Sequence, residues 1–149
     1  MKNSRSHILK KNIVLVAVTV IMIFSFGSCK KKVPFLISTV VPAAEGYVVT
    51  NKDDNNNYDI IIHIINLAKP ERLQPPRNTY VVWIETDNNS IKNMGQIKSS
   101  TGFLSENLKA SFETQSSFKP IKLFITAEND ANIQYPISQI VLTTDYFRK

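Results

Sequence analysis

Few side chains in this sequence are able to do chemistry. There are two histidines, His7 and His63, and one cysteine, Cys29. His63 sits among isoleucines in the apolar run from Tyr58 to Leu67. An imidazole base needs a nucleophile to serve and a third group to orient it. No Gly-x-Ser-x-Gly elbow supplies that nucleophile. One histidine and one cysteine do not build a zinc site. His63 therefore reads as a packed or edge-facing strand residue. Asp53, Asn55 and Asn57 open like a calcium loop, with oxygen ligands at alternate positions. Tyr58 stands where the turn glycine belongs and Ile64 where the closing glutamate belongs, so the stretch reads as a hairpin turn. Glu85 and Asp87 form a carboxylate pair two residues apart, with nothing to push their pKa values apart for glycoside chemistry. Tyr80, Trp83, Phe103, Phe112, Phe118 and Phe124 offer either a sugar-stacking platform or core filling. Most alternate along strands, where aromatics fill cores. The sequence thus predicts a non-enzymatic protein with no catalytic residue, cofactor or metal site.

The elements that must position these residues are strands. No stretch after Val33 sustains a helical apolar period, whereas alternating runs recur between Asn, Asp, Pro and Gly clusters. Strands are predicted over 35–41, 47–50, 58–67, 79–86 and 91–97, the fifth with Gly95 at a bulge. Further strands follow from the alternations at Leu108, Ala110, Phe112 and at Ile121, Leu123, Ile125, and over 139–144. Residues 105–110 also fit a short helical turn. The run Tyr58–Leu67 is apolar on both faces. That predicts a central strand covered twice, or one lying at a partner surface. Seven or eight short strands predict a single antiparallel β-sandwich, immunoglobulin-like but without a disulfide, over 34–149.

The 149 residues carry a formal charge of +6, but the charge is not spread evenly. Residues 1–28 hold four basic side chains and no acid, and Lys30-Lys31-Lys32 follows. The rest is close to neutral. A nucleic-acid binder needs a basic face to neutralise phosphates, so that class is excluded. A polar, basic start leads into the apolar run from Ile13 to Phe26, then Gly27, Ser28 and Cys29. This is the layout of an export signal, and the run is shorter than the ~20 residues of a spanning helix.

Phe26-Gly27-Ser28-Cys29 resembles the lipobox of bacterial lipoproteins, and Ser-Cys-Lys-Lys-Lys resembles those of the Bacteroidetes. The resemblance implies a diacylglycerol joined to the Cys29 sulfur by a thioether and cleavage just before Cys29. The new amine is then open to acylation with a fatty acid such as palmitate. It divides the chain into a signal peptide (1–28), a lipidated cysteine with a basic linker (29–33) and the β-domain. Surface-export signals of that group are acidic just after the cysteine. The basic linker here implies a protein of the cell envelope facing the periplasm. Its partners would be the membrane, through Cys29, and a protein or glycan. A carbohydrate-binding module is the alternative to a protein-binding domain.

A second resemblance begins at Leu73-Gln74-Pro75-Pro76-Arg77-Asn78-Thr79-Tyr80-Val81-Val82-Trp83-Ile84. It continues through Met94-Gly95-Gln96-Ile97, Ile125-Thr126-Ala127-Glu128, Pro136 and Ile140-Val141-Leu142. Together these resemble the extracytoplasmic C-terminal domain of anti-sigma-K factors. That implies a membrane-proximal β-domain facing outward. Sigma-factor binding does not carry over, because only twelve residues precede the apolar run, and no catalytic residue is implied. Strict alternation puts Trp83 with Thr79 and Glu85, opposite Tyr80, Val82 and Ile84. The resemblance and the usual place of a sandwich tryptophan put it inside, with Glu85 reaching water at the sandwich end.

The lipid assignment has a direct test. Cys29→Ser should abolish metabolic labelling with a fatty-acid analogue, because a hydroxyl does not accept the thioether. Equal labelling of variant and parent would refute it.

Overall fold

A computed structural model describes residues 32–98, 100–101 and 108–147. The expected signal peptide (1–28), Cys29, Lys30, Lys31 and Phe103 lie outside the described residues. The strands are β1 (Lys32–Pro34), β2 (Glu45–Lys52), β3 (Tyr58–Ile65), β4 (Thr79–Thr86), β5 (Ile91–Ile97), β6 (Ser100–Thr101), β7 (Leu108–Ser116), β8 (Pro120–Glu128) and β9 (Ile140–Thr143). A 3₁₀ turn at Pro70–Arg72 is the only helical element among the described residues. One sheet runs β1-β2-β3-β7-β6 and the other β5-β4-β8-β9, with every pairing antiparallel. Taking β2 to β9 as A, B, C, C′, D, E, F and G gives the immunoglobulin arrangement, ABED against C′CFG. β1 is an additional edge strand beside β2.

Period-2 alternation builds the interior. Ile60, Ile62 and Ile64 of β3 face Tyr80, Val82 and Ile84 of β4 and Leu123 and Ile125 of β8 in one cluster. All are at most 2% exposed, so each aliphatic side chain contributes about 1.5–3 kcal/mol of burial. Tyr80 brings a polar tip into this core, and its phenol donates to the Ala68 carbonyl at 2.8 Å. Burial, reinforced by the Glu71 carboxylate, pushes that phenol well above its ordinary range.

Three expectations need correction. The strand placed at 35–41 is shorter and earlier. After β1, Phe35 makes a single bridge to Thr144, and the chain leaves the first sheet for the second. The Ser38 hydroxyl then accepts from the Val40 and Val41 amides, and that local competition ends extended pairing. β3 is covered on one face only among the described residues, with Ile61, His63 and Ile65 pointing outward. Leu108–Ala110 belongs to β7, while the remainder of the possible helical turn lies outside the described residues. The bulge expected at Gly95 is present. The ladder steps from Val82↔Gly95 to Trp83↔Asn93, leaving Met94 unpaired, and Gly95 has φ +119°.

Trp83 is fully buried, but not between the sheets. Strict alternation holds along β4, so the indole lies on the outer face with Val81 and Phe124, under Ala131 and Ile133. Its ring stacks near-parallel on Phe124 and its N–H donates to Thr126 Oγ1 at 2.8 Å. The segment from Asn129 to Gln139 is held over it at both ends. Asn93 Nδ2 donates to the Ala131 and Ile133 carbonyls at 2.9 and 2.8 Å. The buried Glu128 carboxylate accepts from the Ile137 and Ser138 amides. Trp83→Ala should therefore cost about 3–5 kcal/mol in chemical denaturation of residues 33–149. A loss under about 1 kcal/mol would show that this outer cluster carries little of the stability.

Candidate functional site

The residues singled out from sequence do not converge. His63 is exposed on the outer face of β3, and its ring centroid is 5.2 Å from that of Tyr47. Its ladder partner on β7 is Ser111, a neighbour that the sequence spacing did not reveal. No hydrogen bond joins the two side chains, and the surface there is open sheet. Among the described residues no three His, Cys, Asp or Glu side chains group as metal ligands.

The Asp53 loop is a turn whose acceptors are engaged within the fold. Asp53 Oδ1 accepts from the Asn55 and Asn57 amides at 2.9 and 2.7 Å, and Oδ2 from Gln115 Nε2 at 3.2 Å. Asn56 takes the left-handed conformation with φ 65°, as this side-chain type tolerates. Glu85 lies half-buried on the outer face of β4 opposite Lys122, and Asp87 begins the next turn. Of the aromatics, Tyr80, Trp83 and Phe124 are buried and Phe112 packs against the core. Phe118 is exposed at a loop tip. Among the described residues these candidates form no row on the surface.

What the fold does assemble is an apolar groove of about 580 Å³ at the Glu45/Ile65 end of the five-stranded sheet. One wall is the crossing segment Pro34, Phe35, Leu36 and Ile37. The floor is Gly46, Tyr47, His63 and Ile65, and Pro42 closes one side. Leu36 is 51% exposed, Ile37 92% and Ile65 41%, so apolar surface faces water on both sides of the groove. Glu45 is the one carboxylate in the lining. The wall owes its position to hydrogen bonding along two sheets. Phe35 N donates to Gly46 O, and Leu36 N donates to Thr143 O. With its backbone so committed, the Leu36-Ile37 pair is turned outward.

Sequence reasoning placed Leu36 and Ile37 in a strand that would bury one of them. The signal that was available is Pro42 and Ser38 so close behind, which mark a chain about to turn. Comparison with family models, with curated proteins and with solved structures finds no match for this chain.

Gly46 lets β2 and β3 close up beneath the groove. A Cβ there would run into the His63 carbonyl oxygen and touch Ile64 Cα at 3.0 Å, which is backbone that gives way only by separating β2 from β3. Gly46→Ala should cost about 1–3 kcal/mol, as overpacking does. Amide exchange should quicken at the Gly46–Ile64 pairing and stay unchanged around Trp83. Unaltered exchange at that pairing would show that the strands part without strain.

Proposed function

We propose that this chain is a non-enzymatic lipoprotein of the bacterial cell envelope, anchored through acylated Cys29, whose β-sandwich uses the groove beside Ile37 to bind a partner protein. The observation that carries the reading is the apolar surface at Leu36, Ile37 and Ile65. Isolated exposed apolar residues are ordinary, but a contiguous apolar groove marks an interaction site. A protein side chain of the partner would remove this surface from water at about 25 cal/mol per Å². A sugar would favour coplanar exposed rings and a polar rim; the groove's exposed apolar side chains, Leu36, Ile37 and Ile65, are aliphatic, and its rings Phe35 and Tyr47 are half-buried.

The orientation of the groove supports the same reading. Lys32 pairs with Val49, which pairs with Ile61, whereas the groove floor lies at Glu45↔Ile65, four residues further along the ladder. That is about 13 Å beyond the level where the tether enters the domain. A tethered domain would hold the groove away from its own membrane, open to soluble partners in the periplasm. The residues behind the anti-sigma-K resemblance fall on β4, β5, β8, β9, the loop before β4 and the segment between β8 and β9. None of them lines the groove, although β9 holds its wall through Thr143.

A photo-crosslinking residue at position 37 in living cells should capture a discrete protein. Ile37→Asp should reduce capture by a crosslinker at Leu36 at least about tenfold, the effect of losing an interface anchor of ~1.4 kcal/mol or more. The denaturation midpoint should stay within about 0.5 kcal/mol of the parent, because position 37 is on the surface. Undiminished capture by the Ile37→Asp variant would refute the groove as the binding site.

A further inference from the structure

We infer that the end of the sandwich opposite the groove, built around Phe118 and Tyr146, seats directly on the bilayer surface. The inference rests on the lipid anchor proposed above and assigns that anchor a docking face. Antiparallel pairing of β1 with β2 sets Lys32, the first residue of β1, at the end of that strand nearer Lys52. Only three peptide steps separate Cys29 from Lys32, at most about 10 Å of chain. Lys52, Tyr58 and Ser116 lie three residues beyond the Lys32 level on the neighbouring strands, also about 10 Å. The tether therefore has no slack with which to hold this end clear of the membrane.

The surface brought there fits a bilayer interface. The turn after β7 and the start of β8 come together with the chain end after β9, as Thr50, Tyr58, Lys119, Pro120, Tyr146 and Phe147 line one depression. Phe118 is 44% exposed and Tyr146 54%. Each ring has a lysine ammonium beside it, Lys92 at 4.9 Å from Phe118 and Lys122 at 5.2 Å from Tyr146. Aromatic rings with lysines alongside are the composition of the membrane–water boundary, where the ring sits at headgroup level and the ammonium meets phosphate. Both rings are firmly presented. Ser116 Oγ accepts from the Phe118 amide and donates to the Phe118 carbonyl. The Phe147 amide donates to Ile121 O at 2.7 Å, fixing the chain just past Tyr146. Asp54, Asp87 and Asp145 lie at the same end and offset its lysines, so the seat depends on the two rings and not on net charge.

The test uses the full lipidated chain in vesicles. Because the thioether occupies Cys29, a cysteine introduced by Ser117→Cys, Asp145→Cys or Ile37→Cys is the only free thiol, and at the exposed positions 117 and 145 it takes an environment-sensitive fluorophore while both rings stay in place. In phosphatidylcholine vesicles carrying a headgroup-region spin-labelled lipid, labels at 117 and 145 should be quenched at least about twofold and the label at 37 not at all. The contrast should persist when part of the neutral lipid is replaced by phosphatidylglycerol. Equal quenching at 117 and 37 overturns the seat, as does quenching that appears only with the anionic lipid. Vesicle flotation and fatty-acid labelling separate the two claims. A protein that carries lipid and floats, yet is unquenched at 117, leaves the anchor standing and removes the seat. A protein without lipid that does not float removes both.

Discussion

The chain from Lys32 to Ser38 hydrogen-bonds to both sheets. β1 lies along β2, then Phe35 bridges to Thr144, the Leu36 amide donates to the Thr143 carbonyl, and the Ser38 hydroxyl donates to Val141 O. A sandwich with no disulfide joins its two layers by side-chain packing and by whatever backbone crosses between them. Here one seven-residue segment does the crossing and closes the β2/β9 side. The same segment forms the groove wall, and its start is where the short tether enters. The groove and the proposed anchor would thus be joined through one piece of backbone. Losing the pairing of Leu36 with Thr143 would open the core beneath and also collapse the groove above.

A second constraint comes from parity. Along a regular strand a side chain cannot change faces, so Tyr80, Val82 and Ile84 inside force Val81 and Trp83 outside. The outer face of the four-stranded sheet is consequently apolar over a tryptophan, a phenylalanine and a valine. The fold answers with a cover, the eleven residues between β8 and β9. Asn93 and Glu128 fasten that cover through backbone groups, which satisfies amides and carbonyls that a loop would otherwise leave unpaired. The bulge at Met94 is part of the same arrangement, since it sets Asn93 opposite Trp83, within reach of Ala131 and Ile133. Burying a carboxylate such as Glu128 is costly unless it is hydrogen-bonded, and its two amide donors meet that condition.

These two features mark how far the sequence was legible. The sandwich and the spans of β4 and β5 follow from alternation and turn chemistry, which are local and written in neighbouring residues. So does the bulge, because a glycine inside a strand has few other uses. Trp83 is instructive, since alternation alone placed it correctly while the expectation of an interior tryptophan did not. Its cover was not legible, because Ala131 and Ile133 sit in a segment with no period and are recruited by long-range hydrogen bonds. The groove was hidden for a related reason. Leu36 and Ile37 look like strand residues, and only the competing pairings from two sheets decide that they face water. The run Tyr58–Leu67 was expected to be covered on both faces or to lie at a partner surface; its outer face is uncovered among the described residues and supplies His63 and Ile65 to the floor.

Antiparallel pairing ties these local outcomes to a direction. Since β1 and β2 run oppositely, the segment that leads up from the tether arrives at the groove, and the loops left at the other end are those nearest the anchor. The groove end is formed by Pro42, Ala44, Glu45 and Gly46 around aliphatic walls, with two side chains more than half exposed. The opposite end is formed by tight polar turns, at Asp53–Asn57, Asp87–Ser90 and Ser117–Lys119, and by the chain after β9; Phe118 projects from the third turn and Tyr146 from that chain. Apolar exposure at opposite poles of one small domain would suit the two different neighbours proposed above. Aliphatic walls enclosing a volume suit a shaped protein surface, whereas isolated rings beside lysines suit a disordered interface that has no shape to match. If Cys29 carries the proposed lipid, only two residues separate it from β1, so strand direction would set which pole meets the membrane and which meets a partner.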